Sequence, residues 1–265
     1  MSPPIVTLIT DFGLEDHYVG VMKGVILGIC PGASLVDISH AVTRYEITQG
    51  AFLLAQAYPH FPPGTVHLVV VDPGVGTTRR PVLLQAARQF FVAPDNGVLT
   101  LVLAREEKHR VRAITAERYF RRPVSQTFHG RDIFAPVAAH LAAGVPPARF
   151  GKPVDDYLRR EDFGRSIHTG KRIWTGAVLH IDHFGNMVTN VRPADIPGLE
   201  QGRPFHMAVG PYRLEHIARN YAECGPGEPF LIVGSSGYLE ISLNQASAAK
   251  ALGCGVGAPV EVVVF

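Results

Sequence analysis

Apolar residues in the first half of the chain fall into two alternating textures. Short β-branched runs, "IVTLIT" (5–10), "SLVDI" (34–38) and "TVHLVVVD" (65–72), predict strands. Between them, "HYVGVMKGVILGIC" (17–30) and "RYEITQGAFLLAQAY" (44–58) carry apolar residues at the three- and four-residue spacing of amphipathic helices. Strand–helix–strand alternation needs crossover connections, so it predicts an α/β domain with a mainly parallel sheet. "PVLLQAA" and "QFFVAP" add strand signal, ended by the turn "PDNG" (94–97), whose Asn-Gly favours positive φ. "RDIFAPVAAHLAAG" (131–144) has the spacing and closing glycine of a helix.

From about Val145 to Gly170 this order dissolves into proline, glycine and charge, the texture of an interdomain linker. Beyond it, "GAVLHIDHFGN", "PFHMAVG", "PFLIVGSSGYLEISL" and "PVEVVVF" predict short strands with few helical periods, as in a small barrel or sandwich. The expected organisation is an α/β domain over residues 1–150, a linker over 151–172, and a smaller mostly-β, barrel-like domain over 173–265.

Composition narrows the function classes. The 265 residues suffice for two cores, and 46% hydrophobic with 18% charged residues excludes a disordered or fibrous chain. Lys and Arg number 25 against 23 Asp and Glu, and the basic residues are scattered, which argues against a nucleic-acid partner. Cys30, Cys224 and Cys254 are odd in number and far apart, so they predict buried thiols rather than a disulfide framework or thiolate zinc site. The N-terminal apolar run is too short for a secretory or membrane segment, which makes the cytoplasm the expected compartment, without a membrane partner.

Several groups could do chemistry. "VVVDPGVGTTRRP" (69–81) runs a strand into Asp72, Gly74 and Gly76, but the third glycine of a dinucleotide loop is replaced by Arg79 and no Walker lysine follows. Asp72 then stands at the carboxyl end of a buried strand, where open α/β sheets place ligand crevices, and Arg79 can return to it, as catalytic pair or as a turn brace. In "TFHGRDIFAP", His129 precedes a helix and titrates near neutrality, so it is either a catalytic group or an ordinary hydrogen-bonding residue. Asp11 in "TDFG" also ends a strand, as a ligand-binding acid or a helix N-cap. "IDHFGN" and "GSSG" group Asp182, His183, Asn186, Ser235 and Ser236 as binding loops or as turns. No H-x-H, H-E-x-x-H or EF-hand spacing appears, so no metal site is expected and a metal-dependent hydrolase remains a rival.

In order, "TDFG", "VVDPGVGTTRR", "PDNG", "TFHGRDIFAP", "IDHFGN" and "GSSGYLEI" resemble the S-adenosyl-L-methionine hydroxide adenosyltransferases, the adenosine-forming S-adenosylmethionine hydrolases related to the fluorinase and chlorinase. The resemblance implies a homotrimer with active sites at subunit interfaces and a catalytic set of Asp72, Arg79 and His129. It implies that Asp11 takes the ribose hydroxyls and Tyr45 lines the ribose pocket. Asn186 would contact adenine, Asp182 would bind the methionine ammonium, and Ser235 and Ser236 its carboxylate, with Ser236 replacing an arginine of the fluorinase. S-adenosyl-L-methionine is then the substrate and no cofactor is expected. Where the fluorinase has tyrosine and threonine, this chain has Asp72 and Val75, and its Tyr-Ser pair is here His129-Gly130. A carboxylate suits water better than a halide. A non-catalytic adenosine or S-adenosylmethionine binder, and a halide adenosyltransferase, are the alternatives. Either Asp72 takes the proton of the attacking water, or the cluster binds hydroxide and His129 orients it.

Overall fold

Strand β1 (Ile5–Thr10) has a parallel partner on each side, β2 (Ser34–Ser39) and β3 (Val66–Val70). In this computed structural model, which describes residues 3–160 and 166–265, the chain divides into the units Met1–Glu161 and Asp162–Phe265. With β4 (Pro81–Ala86), β5 (Gln89–Pro94) and β6 (His109–Ala113), the first sheet has the order β2-β1-β3-β5-β4-β6.

The sheet is mixed. β5 runs parallel to β3, whereas β4 is antiparallel to both β5 and β6. The cause is connection length: only Ala87 and Arg88 separate β4 from β5, and a parallel crossover needs a dozen residues or more. Both turn residues take positive φ, 50° and 61°, as a two-residue hairpin requires, although neither is glycine or asparagine. The Asn-Gly of "PDNG" lies instead on the path from β5 into helix α3.

Among the described residues, four α-helices accompany this sheet: α1 (Tyr18–Ile29), α2 (Ile47–Ala57), α3 (Thr100–Arg105) and α4 (Ala135–Ala142). α1 buries Val19, Met22 and Ile26, the expected apolar stripe, and the last two share a core with Leu8, Leu68, Phe134 and Phe150. α4 is shorter than its sequence signal because Gly130–Phe134 forms a π-helical turn. Pro136 has no N–H to give the Asp132 carbonyl four residues back, and that carbonyl accepts from the Arg121 amide at 2.8 Å instead.

Residues 151–160 follow the edge of this sheet. Val154 N–H donates to the Val111 carbonyl at 3.0 Å, Leu158 N–H to Asp95 Oδ1 at 2.8 Å, and Arg160 N–H to Thr100 Oγ1 at 3.0 Å. The middle of the expected linker, residues 161–165, lies outside the described residues.

Among its described residues, the second unit is one sheet with one α-helix, the short α5 (Ala248–Leu252). Its strands are β7 (Ile167–Gly170), β8 (Ile173–Ile181), β9 (Met187–Thr189), β10 (Phe205–Val209), β11 (Tyr212–Leu214), β12 (Ile217–Ala218), β13 (Phe230–Val233), β14 (Leu239–Ser242) and β15 (Pro259–Val264). They run β11-β10-β15-β8-β9-β14-β13-β12, with β7 against β8. Among the described residues the outermost strands do not pair with each other, so this sheet is open rather than a closed barrel. A separate core of Trp174, Met187, Met207, Leu231, Ile241 and Val262 holds it. No helix among the described residues is long and apolar enough to cross a membrane.

Candidate active site

The chain leaves β1 to form β2 on one side and returns to form β3 on the other, so the sheet's topological switch lies between β1 and β3. Thr10 pairs with Val70, which places Asp11 and Asp72 past the carboxyl ends of neighbouring strands. Such switch points are where open α/β sheets bind ligands. Burial raises the pKa of Asp11, the Tyr45 amide at 2.9 Å opposes the rise, and the charge of Asp72 adds to it. Asp11 is not the N-cap of α1, where His17 stands. Tyr45 gives its backbone N–H to Asp11 from a left-handed φ of 70°, a sparsely populated conformation for a bulky residue, and its ring is exposed.

After β3 the backbone turns twice, with Val75 N–H donating to the Asp72 carbonyl at 3.2 Å and Thr77 N–H to that of Gly74 at 3.1 Å. These turns bring Arg79 back onto Asp72: Nε donates to Oδ1 at 3.0 Å and Nη2 to Oδ2. The same Nη2 donates to His129 Nδ1 at 2.7 Å. Asp72, Arg79 and His129 thus form one hydrogen-bonded cluster from two loops. Both charged side chains are nearly buried, at 4% and 9% exposure, and the guanidinium carbon lies 5.2 Å from the centre of the Phe134 ring. The Nη1 hydrogens of Arg79 have no protein acceptor among the described residues.

A guanidinium only donates, so His129 Nδ1 is an acceptor and the neutral imidazole carries its proton on Nε2. Burial lowers the His129 pKa, and the Arg79 charge lowers it further against the opposing pull of Asp72 and Asp132. His129 is therefore held neutral near pH 7.

Three contacts that the sequence did not single out set this arrangement. Gly76, at φ 77°, packs its α-carbon on the Gln126 backbone, where a β-carbon would stand 2.4 Å from the carbonyl oxygen; this joins the two loops. Asn96 Nδ2 donates to the Val71 carbonyl at 2.8 Å and so anchors the residue before Asp72. Asp132, fully buried, accepts from the Ser125 amide at 2.9 Å and from Arg131 Nε at 2.7 Å, bracing the His129 loop. Burial alone would raise the Asp132 pKa, but Arg131, the Ser125 amide and Arg121 outweigh it and hold the carboxyl low. An acid directly after Arg131, and ten residues past Arg121-Arg122, and an asparagine beside glycine were the available signals, and both also fit turns.

The remaining predicted residues belong to the second unit. Asp182 Oδ1 accepts from the amides of Phe184 at 2.9 Å and Asn186 at 2.8 Å, and Asn186 Nδ2 donates to Oδ2 at 2.9 Å. Turn chemistry therefore shapes this loop without using every carboxylate lone pair. Gly185, at φ 88°, lies against Ser247, where a β-carbon would meet Oγ at 2.1 Å. Asp182 and Asn186, with Phe184, Tyr221, Asn244 and Ser247, line a cleft of ≈ 630 Å³. Ser235 and Ser236 occupy the turn from β13 to β14; Ser235 is exposed, and Ser236 Oγ is buried without a hydrogen-bond partner. Among the described residues, no group of three or more His, Cys, Asp or Glu side chains could hold a metal ion.

Two family models match the chain: the SAM hydroxide adenosyltransferase N-terminal domain over residues 6–151 and its C-terminal domain over 176–261. The chain is 38% identical to the (R)-S-adenosyl-L-methionine hydrolase of Thermus thermophilus, over 97% of its own length and 99% of that protein. It is 28% identical to the fluorinase of an Actinoplanes species, over 98% of this chain and 97% of that one. The crystal structure of a conserved protein from Thermotoga maritima superposes with a TM-score of 0.88 at 37% identity, covering 97% of this chain and 99% of that chain.

Proposed function

Because this chain belongs to the SAM hydroxide adenosyltransferase family, we propose that it hydrolyses S-adenosyl-L-methionine to adenosine and L-methionine. Water attacks ribose C5′ in line with the sulfonium: the C5′–O bond forms, the C5′–S bond breaks, and its electron pair stays on sulfur as the neutral thioether of methionine. The water proton leaves through Asp72 or to solvent. The observation that carries this reading is the buried Asp72–Arg79–His129 cluster at the switch point of the first sheet.

In this mechanism Arg79 uses its Nη1 hydrogens on the attacking oxygen, while Asp72 accepts from the water through lone pairs that Arg79 leaves open. His129, neutral and acting as acceptor, sets the rotation of the guanidinium. The leaving group is already positively charged and needs no acid, so positioning is the main contribution, and alignment of reactants can supply about 7–11 kcal/mol. The step is redox-neutral and calls on no cofactor or metal. Asp11 binds the ribose hydroxyls beside Tyr45, Asn186 contacts adenine, and Asp182, Ser235 and Ser236 take the amino-acid end.

The name of the Thermus relative supports a finer reading, that the epimer consumed is the one with R configuration at sulfur. We further propose a homotrimer with active sites at subunit interfaces, supported by the family and by the two separate units that carry the predicted residues. One preparation tests these points. Chromatography of an epimeric substrate mixture should show adenosine rising as the R form disappears, and sedimentation should give three copies of the 28.7 kDa chain. Asp72→Ala should lose at least 100-fold in turnover with substrate affinity within about tenfold, as expected when a transition-state interaction is removed. Unchanged turnover would reject the catalytic role.

A further inference from the structure

Glu240 of β14 is a half-buried carboxylate with no hydrogen bond or ion pair among the described residues. Its side chain lies against Gly234, where a β-carbon would stand 1.7 Å from Oε1 and 2.4 Å from Cδ. Gly234 begins the turn that carries Ser235 and Ser236, and its N–H closes that turn on the Tyr238 carbonyl at 2.9 Å. Burial raises the Glu240 pKa, and the charge of Asp182 raises it further. The carboxylate therefore lies against the serine turn and within the field of Asp182, the two groups assigned to the amino-acid end of the substrate.

Two further polar groups share this field. Tyr221, which lines the cleft with Asp182, has its pKa raised by burial and then by Glu240 and Asp182, so it lies within the field of both acids. Ser242 projects from the same face of β14, two residues on; it is fully buried, with its hydroxyl beside that of Tyr221. Two carboxylates and two hydroxyls, of which Asp182 and Tyr221 line the cleft, make a cluster whose unmet need is a compact group with several N–H donors. An ammonium has three and a positive charge.

We infer that Glu240 is a second anionic ligand, with Asp182, for the α-ammonium group of the substrate, and that this end of the site selects for the amine more than for the carboxylate. The inference rests on the proposed substrate. It also accounts for serine at position 236, where the fluorinase carries arginine: a site that holds the tail by its ammonium does not require a guanidinium on the carboxylate.

The test compares S-adenosyl-L-methionine with its α-deamino analogue, whose tail lacks only the amine. Wild-type enzyme should favour the amine-bearing substrate in kcat/KM by at least 100-fold. Glu240→Gln should raise KM for it by about 10- to 30-fold, leave kcat within threefold, and leave the deamino analogue unaffected, so that discrimination falls by the same factor. Gly234→Ala, whose β-carbon displaces the Glu240 carboxyl at a backbone without positive φ, should reproduce that loss in a protein of unchanged sheet content, and Glu240→Asp should retain most of the discrimination. Equal losses toward both substrates in Gln and Ala variants, or no loss, overturn the inference. Calorimetric binding of S-adenosyl-L-homocysteine and its deamino form reads the same subsite without turnover. If wild type releases no adenosine, the proposed activity fails, and the binding ratio still decides the role of Glu240.

Discussion

Arg79 serves two acceptors at once, and of these His129 is the one whose proton content decides whether the contact survives. Protonation at Nδ1 would set a donor against a donor beside a positive charge, so the cluster requires neutral imidazole. Burial first, and Arg79 second, lower the folded pKa of His129 below 6.5. With a depressed value, the neutral form persists as the pH drops past 6.5, so the cluster itself holds until the pH nears the folded value, while its contribution to stability declines from 6.5 down to that value. The acid limb of kcat/KM should accordingly have its midpoint below 6.5, and His129→Asn, whose side-chain oxygen can accept from Arg79, should flatten that limb while keeping measurable turnover. A limb centred at or above 6.5, or one unchanged in the asparagine variant, contradicts the assignment. From the sequence, His129 was one histidine among 12, marked out by position alone. Asp132, three residues on, passed unnoticed because a buried acid with two arginine partners looks in sequence like a surface helix.

At the scale of elements, the two loops are useful only in contact, and Gly76 is the point of contact. A methyl group there would have to enter the Gln126 carbonyl from a left-handed backbone, which costs a non-glycine residue about 1–2 kcal/mol before the clash is counted. Gly76→Ala should therefore move the loops apart. We expect turnover to fall by 10- to 100-fold and the melting temperature by a few degrees, with far-UV circular dichroism unchanged; full activity in that variant would show that the junction is not needed. The sequence announced most strands and helices through their periods. It pointed to "PDNG" as a positive-φ turn, whereas the β4–β5 hairpin turns on Ala87 and Arg88, which carry no turn signal and adopt positive φ because the paired strands leave them no other path. Asn96 looked like turn chemistry because its bond to the Val71 carbonyl depends on where β3 ends in space.

Across the whole molecule, stability and site share the same central strand. His67 of β3 is fully buried, with Nδ1 2.7 Å from Thr7 Oγ1 and Nε2 3.2 Å from Gln89 Oε1, while Gln89 ties down the Phe61 carbonyl at 2.7 Å. Burial pushes its pKa down to about 4, against a weaker opposing bond from Gln89. As pH falls from 6.5 to about 4, the unfolded chain takes up a proton that the folded chain refuses, so stability declines through that window, by about 3 kcal/mol in total. Urea unfolding at pH 7, 5 and 4 should show the decline, and His67→Asn should be weaker at pH 7 yet lose less on acidification. Parallel slopes for the two proteins would exclude His67 as the cause.

The sequence by itself determined the alternation of elements, the acids at the ends of β1 and β3, and the ordered motifs of the family, because hydrophobic period and turn chemistry are local properties that each segment carries alone. Tertiary structure decided the rest. It set β4 and β6 antiparallel, joined Arg79 to a histidine 50 residues away, and laid Glu240 against Gly234 in reach of Asp182. Those outcomes depend on which surfaces are buried together and how closely two backbones approach, and neither quantity is written in the spacing of residues along one segment.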